Sequence, residues 1–270
     1  MRTAARAGTV RLRPITETSD VLRVTPGAER VKGIAGDSGK KVVENGNGTR
    51  VVHRFLDSWI KEVLRNGLDG EFVGEAYGVE RAEALLREWT ANPSLVKHGL
   101  AVARCTESYG LREAERLGLR EDEAARFAEV YRCAGLLHDF DYDKHPTPEE
   151  HPFVGVAYLR ENGWPEEILH AILAHADYSG VIPETHLDKA LFASDELAGF
   201  LTACALVKPS KAIAEVEVAG VKKKMKDKAF ARAVKREDIT RGAELLRIPL
   251  EEHIGNCLKA MQAHAGELGL

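Results

Sequence analysis

The sequence predicts an all-α fold, because apolar residues recur at helical spacing from residue 79 to the C terminus while alternating strand patterns are almost absent. No internal repeat divides this region, so we predict one helical domain over residues 79–268. A chain of 270 residues with 44% hydrophobic content can bury a core of that size. The expected architecture is a helical bundle preceded by a less regular N-terminal part.

The N-terminal part has little periodic pattern. Residues 1–48 show no sustained helical or strand period and include Gly-rich stretches, so we predict a weakly structured extension. Residues 49–78 are predicted to hold an accessory helix at 51–65 and a linker, because Phe55, Trp59 and Ile60 share one side of that helix.

Helix starts in the main domain carry suitable signals. Pro93 precedes Ser94, and Pro165 is followed by Glu166 and Glu167, which places proline and acids in first turns. The predicted helices cover residues 81–90, 94–110, 121–138, 149–162, 165–176, 186–207, 222–234, 237–246 and 250–268.

Charge and composition narrow the classes of function. With 42 acidic against 38 basic residues, the net charge of -4 gives no electrostatic reason to expect a nucleic-acid partner. The basic run at 222–228 is interpreted as a solvated helix face. No apolar run reaches the roughly 18 residues of a membrane span. Four separated cysteines without a C-x-x-C pair suggest buried thiols in a cytoplasmic protein, and the oligomeric state stays open.

Several ionisable residues fall on the apolar faces of predicted helices, where solvated charges are not expected. His98 lies at helical spacing from Leu95 and Val102, for example. A single such histidine is more often a hydrogen-bonded core residue than a ligand. A whole set buried in one domain would be costly without a shared partner, and a divalent cation could serve all of its members. The set comprises His98, His138, Asp139, His151, His175 and Asp195.

The order of these residues resembles the HD superfamily of metal-dependent phosphohydrolases over residues 79–210. In that family a His, an adjacent His-Asp pair and a later Asp coordinate a divalent metal, and many members add two histidines for a second ion. His151-x-x-x-Gly155 and Ile172-x-x-His175 resemble the segments that carry those additions. The resemblance implies an HD-type helical bundle in which all six residues bind metal. We predict two ions with Asp139 as the bridge, and a single ion stays the alternative.

Two branches of the family can be compared with this chain. Residues 174–177 lack the double histidine of the cyclic-dinucleotide phosphodiesterase branch, and no Gly-Tyr-Pro follows. Residues 136–142 and 223–228 resemble a group of predicted HD hydrolases whose substrates are unassigned. The family resemblance therefore does not name a substrate.

We expect a metal-dependent hydrolase that cleaves a phosphate ester of a nucleotide or another small phosphorylated metabolite with a metal-activated water. Imidazole and carboxylate donors suit Mn, Fe, Co, Ni, Zn or Mg, and the lack of thiolates argues against a structural zinc site. Two alternatives stay open. One is a di-iron oxygenase similar to myo-inositol oxygenase, which uses the same six ligands, and the other is a non-catalytic nucleotide-sensing module.

Further residues are candidates for catalysis or substrate binding. Asp141 and Lys144, with Asp143 between them, are predicted to lie on an exposed loop and to orient water or contact phosphate beside Asp139, although a solvated turn is the alternative. Lys208 and Lys211 follow the Asp195 helix and are candidates for holding a substrate phosphate, with a solvated helix end as the alternative. His170 is predicted to point away from the metal ligands, and His145 to lie in a loop.

Overall fold

The computed structural model describes residues 77–270, whose regular structure consists of α-helices and two short 3-10 helices, Asp177–Ser179 and Ile213–Glu215. No strand occurs in this part of the chain, which confirms the predicted all-α class for it. The extension predicted at 1–48 and the helix predicted at 51–65 lie outside the described residues. The helices are α1 (Val79–Trp89), α2 (Pro93–Leu117), α3 (Glu121–Leu137), α4 (Phe153–Glu161), α5 (Glu166–His175), α6 (His186–Leu206), α7 (Val218–Met225), α8 (Arg236–Leu246), α9 (Leu250–Ala263) and α10 (Ala265–Leu268).

Helix α6 lies at the centre of the bundle, because α2, α5, α8 and α9 all pack against it. It corresponds to the most continuously apolar stretch of the sequence, and residues such as Leu197, Phe200 and Leu201 are fully buried. Thr185 and Asp188 form a capping box at its start, which satisfies backbone N–H groups that the helix itself cannot pair. Asp195 therefore sits on a rigid, buried element.

Helices α2 and α3 form the most extensive helix pair of the described chain. Their backbones approach closely at Gly135, where a Cβ atom would lie 2.5 Å from Ala103 Cα. Beside this contact the Thr106 hydroxyl donates to the Tyr131 carbonyl at 2.9 Å. Glycine is needed here for space, since any side chain would collide with the backbone of the facing helix.

A buried polar link ties α2 and α9 to α6. The Nε2 of His253 donates to the Ala193 carbonyl at 2.9 Å, so its Nδ1 accepts a hydrogen bond from the Tyr109 hydroxyl at 2.6 Å. His253 is fully buried, and both of its ring nitrogens are satisfied. This link holds α6 in place at Ala193, two residues before Asp195.

Some predicted helix boundaries were wrong. Helix α2 continues to Leu117 and ends at Gly118, which adopts a left-handed conformation with φ of 71°. Helix α4 begins at Phe153 rather than at 149, after Pro152, which has no N–H to donate.

The helix predicted at 222–234 was wrong in a different way. Helix α7 ends at Met225, and the chain turns before α8. The Arg236 guanidinium donates to the carbonyls of Ala231 and Val234 at 2.8 Å each, so these carbonyls have partners outside a helix. Ala231 also has a positive φ of 41°, which a continuous helix excludes.

Two further predictions concern the cysteines and the length of the apolar helices. All four cysteines are buried and free, as their apolar neighbours predicted. Within residues 77–270, every helix is either too short or too polar to cross a membrane.

Candidate metal centre

The structure brings the six predicted metal ligands together from five segments of the chain. They lie on one turn of α2, at the end of α3, in the turn before α4, at the last residue of α5 and in the middle of α6. Their polar atoms form two neighbouring groups, and all of these residues except the fully buried His138 line one cavity. In chain order the six residues are His98, His138, Asp139, His151, His175 and Asp195.

The first donor group consists of His98, His138 and Asp195, whose candidate ligand atoms all lie within 4.8 Å of one another. His98 Nε2 is 2.9 Å from Asp195 Oδ1, and His138 Nε2 is 3.5 Å from the same oxygen. Two imidazole nitrogens and a carboxylate oxygen thus converge from three different helices or helix ends.

The second donor group consists of Asp139, His151 and His175. Asp139 Oδ1 is 3.2 Å from His151 Nε2 and 3.3 Å from His175 Nε2. The other oxygen of the same carboxylate, Oδ2, lies 3.4 Å from His138 Nε2 in the first donor group. Asp139 therefore faces both groups with one oxygen each, which is the arrangement expected of a bridging carboxylate.

Local hydrogen bonds orient the ring nitrogens. His138 donates through Nδ1 to the Gly135 carbonyl at 2.8 Å, and His175 donates through Nδ1 to the Ile172 carbonyl. In both cases the acceptor is the carbonyl three residues earlier, so the helix end fixes the ring. Each Nε2 then points toward Asp139 and is available as a ligand.

The donor set fits a divalent metal. His138 is fully buried, and its Nε2 has no hydrogen-bond partner. Burial of a polar atom without a partner costs free energy. A divalent cation can be that partner, because a neutral imidazole nitrogen donates its lone pair to the metal. The mixed imidazole and carboxylate set suits first-row divalent ions and does not select one of them.

The electrostatics of the centre favour positive charge. Burial by itself would lower the pKa of His138, but the carboxylates of Asp139 and Asp195 raise it well above its ordinary value. Burial would conversely raise the pKa of Asp139, yet the neighbouring imidazoles lower it well below the usual range. Without metal, a proton on His138 supplies positive charge beside the two carboxylates, and a cation can replace it.

Metal affinity is expected to depend on pH. Burial opposes protonation of His151, but Asp139 and Asp141 outweigh it and raise its pKa to about 9. A metal ion at the second donor group must displace this proton at neutral pH, so its apparent affinity should rise about tenfold per pH unit from about pH 7 to about pH 9. Titration calorimetry with Mn²⁺ at several pH values would measure this slope. A flat profile would contradict the assignment of His151 as a ligand.

A cavity of about 460 Å³ opens above the two donor groups. Tyr142, Tyr178 and Phe192 supply aromatic surface, and Tyr178 is half exposed. Apart from the histidines, Lys235 is the basic side chain among the described residues of the lining. The cavity is thus acidic near the donor groups and aromatic at its walls.

Three residues expected on an exposed catalytic loop have other roles. Asp141 is not exposed: its side chain is 1% accessible and accepts hydrogen bonds from His151 Nδ1 and from the Gly155 N–H. The Asp143 carboxylate accepts from the N–H groups of Ala91 and Asn92, just before α2. The predicted exposure of Asp141 is therefore wrong, and its oxygens face protein groups; its catalytic use stays a prediction that this position does not support.

Lys144 is exposed as expected but lies away from the site. Its Nζ is 4.7 Å from the centre of the Trp89 ring, in a cation–π contact. It is absent from the described lining of the cavity. Its predicted catalytic role is not supported by this position.

The predicted phosphate-binding lysines are also displaced from the cavity. Lys208 and Lys211 follow the end of α6, and that end, Leu206, is 11 residues or about 16 Å along the helix from Asp195. Lys235 lines the cavity instead. Its backbone N–H donates to the Glu196 carboxylate at 3.1 Å, which holds the segment before α8 over α6.

Sequence reasoning missed Lys235 and Tyr178. A weak signal existed for Tyr178, which follows His175 by three residues in a Gly-containing turn. Nothing in the local pattern separates Lys235 from the other lysines of this region. Its position depends on the turn between α7 and α8, which was predicted as helix.

The remaining histidines near the site lie outside it. His170 Nδ1 is 3.1 Å from the buried carboxylate of Asp188, so this ring faces the start of α6. His145 lies 3.5 Å from Glu150 in the loop before α4. Neither is among the described residues that line the cavity.

The fold and the site together define a class of protein: a helical domain with a centre for divalent metal built from histidines and aspartates. Residues 95–199 match the family model described as HD domain, and this match spans all six residues of the two donor groups. Residues 95–199 therefore form an HD domain, the domain of a superfamily of metal-dependent hydrolases, as the motifs predicted. No match was found among curated proteins or among solved structures.

Proposed function

We propose that the protein hydrolyses a phosphate ester of a nucleotide or another small phosphorylated metabolite. The observation that carries this proposal is the pair of neighbouring donor groups at the cavity, with Asp139 of the second group facing the first through its other oxygen. Divalent ions at such a site supply Lewis acidity toward a water molecule and toward a phosphoryl oxygen. The partner we propose is accordingly a small phosphorylated molecule.

The surroundings of the two donor groups support attack by water. Among the described residues that line the cavity there is no serine, threonine or cysteine that could act as nucleophile. The lining carboxylates of Glu196 and Asp238 are hydrogen-bond acceptors for water. A volume of about 460 Å³ is in the range of cavities that take small ligands.

A screen of phosphate esters tests the proposal. Protein of known metal content is assayed for phosphate release from nucleotides, sugar phosphates and a chromogenic phosphate ester. EDTA should abolish the activity, and addition of Mn²⁺, Fe²⁺, Co²⁺, Ni²⁺, Zn²⁺ or Mg²⁺ singly should show which ion restores it. If metal-loaded protein cleaves none of these esters, the proposal is wrong. Oxygen uptake by the iron-loaded protein would favour the oxygenase alternative instead.

Lys235 is expected to contribute to substrate binding. Its side chain is 69% exposed at the cavity, so its attraction to a phosphate is screened by water. Lys235→Ala should raise KM about fivefold and leave kcat nearly unchanged, because a rim charge binds ground state and transition state alike. Steady-state kinetics at two salt concentrations would measure both effects, and the difference in KM should shrink at high salt.

Lys208→Ala is the matched control, since it removes the same charge from a position outside the cavity lining. Its kinetic constants should equal those of the wild type. Equal effects of the two substitutions would mean that only the net charge of the protein matters, and Lys235 would lose its proposed role.

A further inference from the structure

Asp141 is buried beside the second donor group and makes two hydrogen bonds. Its Oδ1 accepts from His151 Nδ1 at 2.7 Å, and its Oδ2 accepts from the Gly155 N–H at 2.8 Å. A buried carboxylate is costly unless its oxygens are satisfied, and here one donor is a ring of the metal centre. The placement of Asp141 is therefore tied to His151.

The contact determines which nitrogen of His151 faces the centre. Because the carboxylate accepts from Nδ1, that nitrogen carries the proton, and Nε2 is directed toward Asp139 Oδ1 at 3.2 Å. His138 and His175 use carbonyls of their own helices for the same purpose. His151 precedes α4 and lies in a turn, so a side chain provides the acceptor that a helix end provides elsewhere.

Gly155 permits this arrangement. A Cβ atom at this position would lie 2.8 Å from both Cγ and Oδ2 of Asp141 and 2.7 Å from a ring carbon of Phe140. The start of α4 can approach the carboxylate only without a side chain at Gly155. Asp141, His151 and Gly155 thus form one unit, which explains the spacing of the His-x-x-x-Gly segment.

We propose that Asp141 is a positioning residue that sets the metal affinity of the second donor group, and so decides whether the centre holds one ion or two. The inference rests on the metal centre of the proposed function. A carboxylate behind a histidine ligand fixes its tautomer and raises its basicity, and loss of such a partner typically weakens metal binding about 10- to 100-fold. The first donor group has a separate orienting contact, the Gly135 carbonyl at His138.

Asp141→Asn tests the proposal, because the amide cannot accept both hydrogen bonds. If its oxygen faces His151, its NH₂ opposes the Gly155 N–H. If its oxygen faces Gly155, its NH₂ opposes Nδ1 of His151 and favours the His151 tautomer with the proton on Nε2. An Nε2 that carries a proton cannot bind metal. Either orientation disturbs the second donor group.

Calorimetric titration with Mn²⁺ and metal analysis of the variant should show one tight site of wild-type affinity and a second site weakened about 10- to 100-fold. Asp143→Asn is the matched control, since it makes the same change two residues away at a carboxylate that accepts from the Ala91 and Asn92 N–H groups before α2. It should bind two ions like the wild type. In a His151→Ala background, Asp141→Asn should have no further effect on metal affinity.

Two wild-type affinities in Asp141→Asn would overturn the inference, as would a wild-type protein that binds a single ion. If the variant does not fold, nitrogen-resolved NMR of the zinc-loaded wild type decides: an exchange-protected Nδ1–H of His151 supports the proposal, and its absence overturns it. These readouts do not depend on turnover. A protein that binds two ions as expected but cleaves no phosphate ester would leave this inference standing while the proposed function fails.

Discussion

Asp139→Asn is expected to abolish tight metal binding and to reduce phosphate-ester hydrolysis about 10³-fold or more, since Lewis-acid stabilisation is worth several kcal/mol and about 1.4 kcal/mol corresponds to tenfold in rate. The two carboxylate oxygens of Asp139 face different donor groups. An asparagine keeps one neutral oxygen. Its NH₂ group faces imidazole nitrogens whose lone pairs are needed to bind metal. Both groups should therefore lose affinity together.

Metal analysis after dialysis and titration calorimetry would measure the loss without reference to turnover. Asp122→Asn is a suitable control, because it makes the same chemical change in the exposed first turn of α3, where Asp122 pairs with Arg126. The control should retain metal and activity. If Asp139→Asn lost only one of two ions, Asp139 would serve a single site and would not be a bridge.

Gly135→Ala is expected to destabilise the fold by about 2 kcal/mol or more, since overpacking of a tight contact typically costs about 1–3 kcal/mol. The added Cβ would lie 2.5 Å from both Ala103 Cα and Thr106 Oγ1, so the backbone of α2 must move. Helix α2 carries His98, and α3 leads into His138, so metal affinity should fall as well. Chemical denaturation followed by circular dichroism, and Mn²⁺ titration, would measure the two effects.

Gly220→Ala provides the comparison. Gly220 lies within α7, and a Cβ there would meet no atom within 4 Å. Replacement of an unhindered helical glycine by alanine should be neutral or stabilise by up to about 1 kcal/mol. Equal free energies of unfolding for the two variants would show that the α2/α3 contact relaxes easily and does not hold the metal ligands in place.

The fold class could be predicted because it follows from local periodicity. Helix starts at Pro93 and Pro165 were also readable, since proline and acidic residues act within a single turn. The segment after α7 could not be predicted in this way. Its turns are stabilised by the Arg236 guanidinium, which donates to carbonyls up to nine residues earlier along a non-helical path.

The candidate ligands could be selected from the sequence because buried imidazoles and carboxylates stand out on apolar helix faces. The sequence did not predict which of these ligands lie together in one donor group. Which oxygen of Asp139 faces which donor group depends on the directions from which α2, α5 and α6 approach it. Local pattern also suggested an exposed Asp141, since the residues around it are polar, whereas packing of the α4 start buries it.

By itself the sequence determined a helical domain, six residues able to bind metal and an HD domain at residues 95–199, because periodicity, side-chain chemistry and motif order are properties of the chain. Only the tertiary structure decided that Asp139 faces two donor groups, that Asp141 supports His151 and that Lys235 rather than Lys208 lines the cavity. The physical reason is that hydrogen-bond partners and charge contacts are set over a few ångströms between segments far apart in sequence.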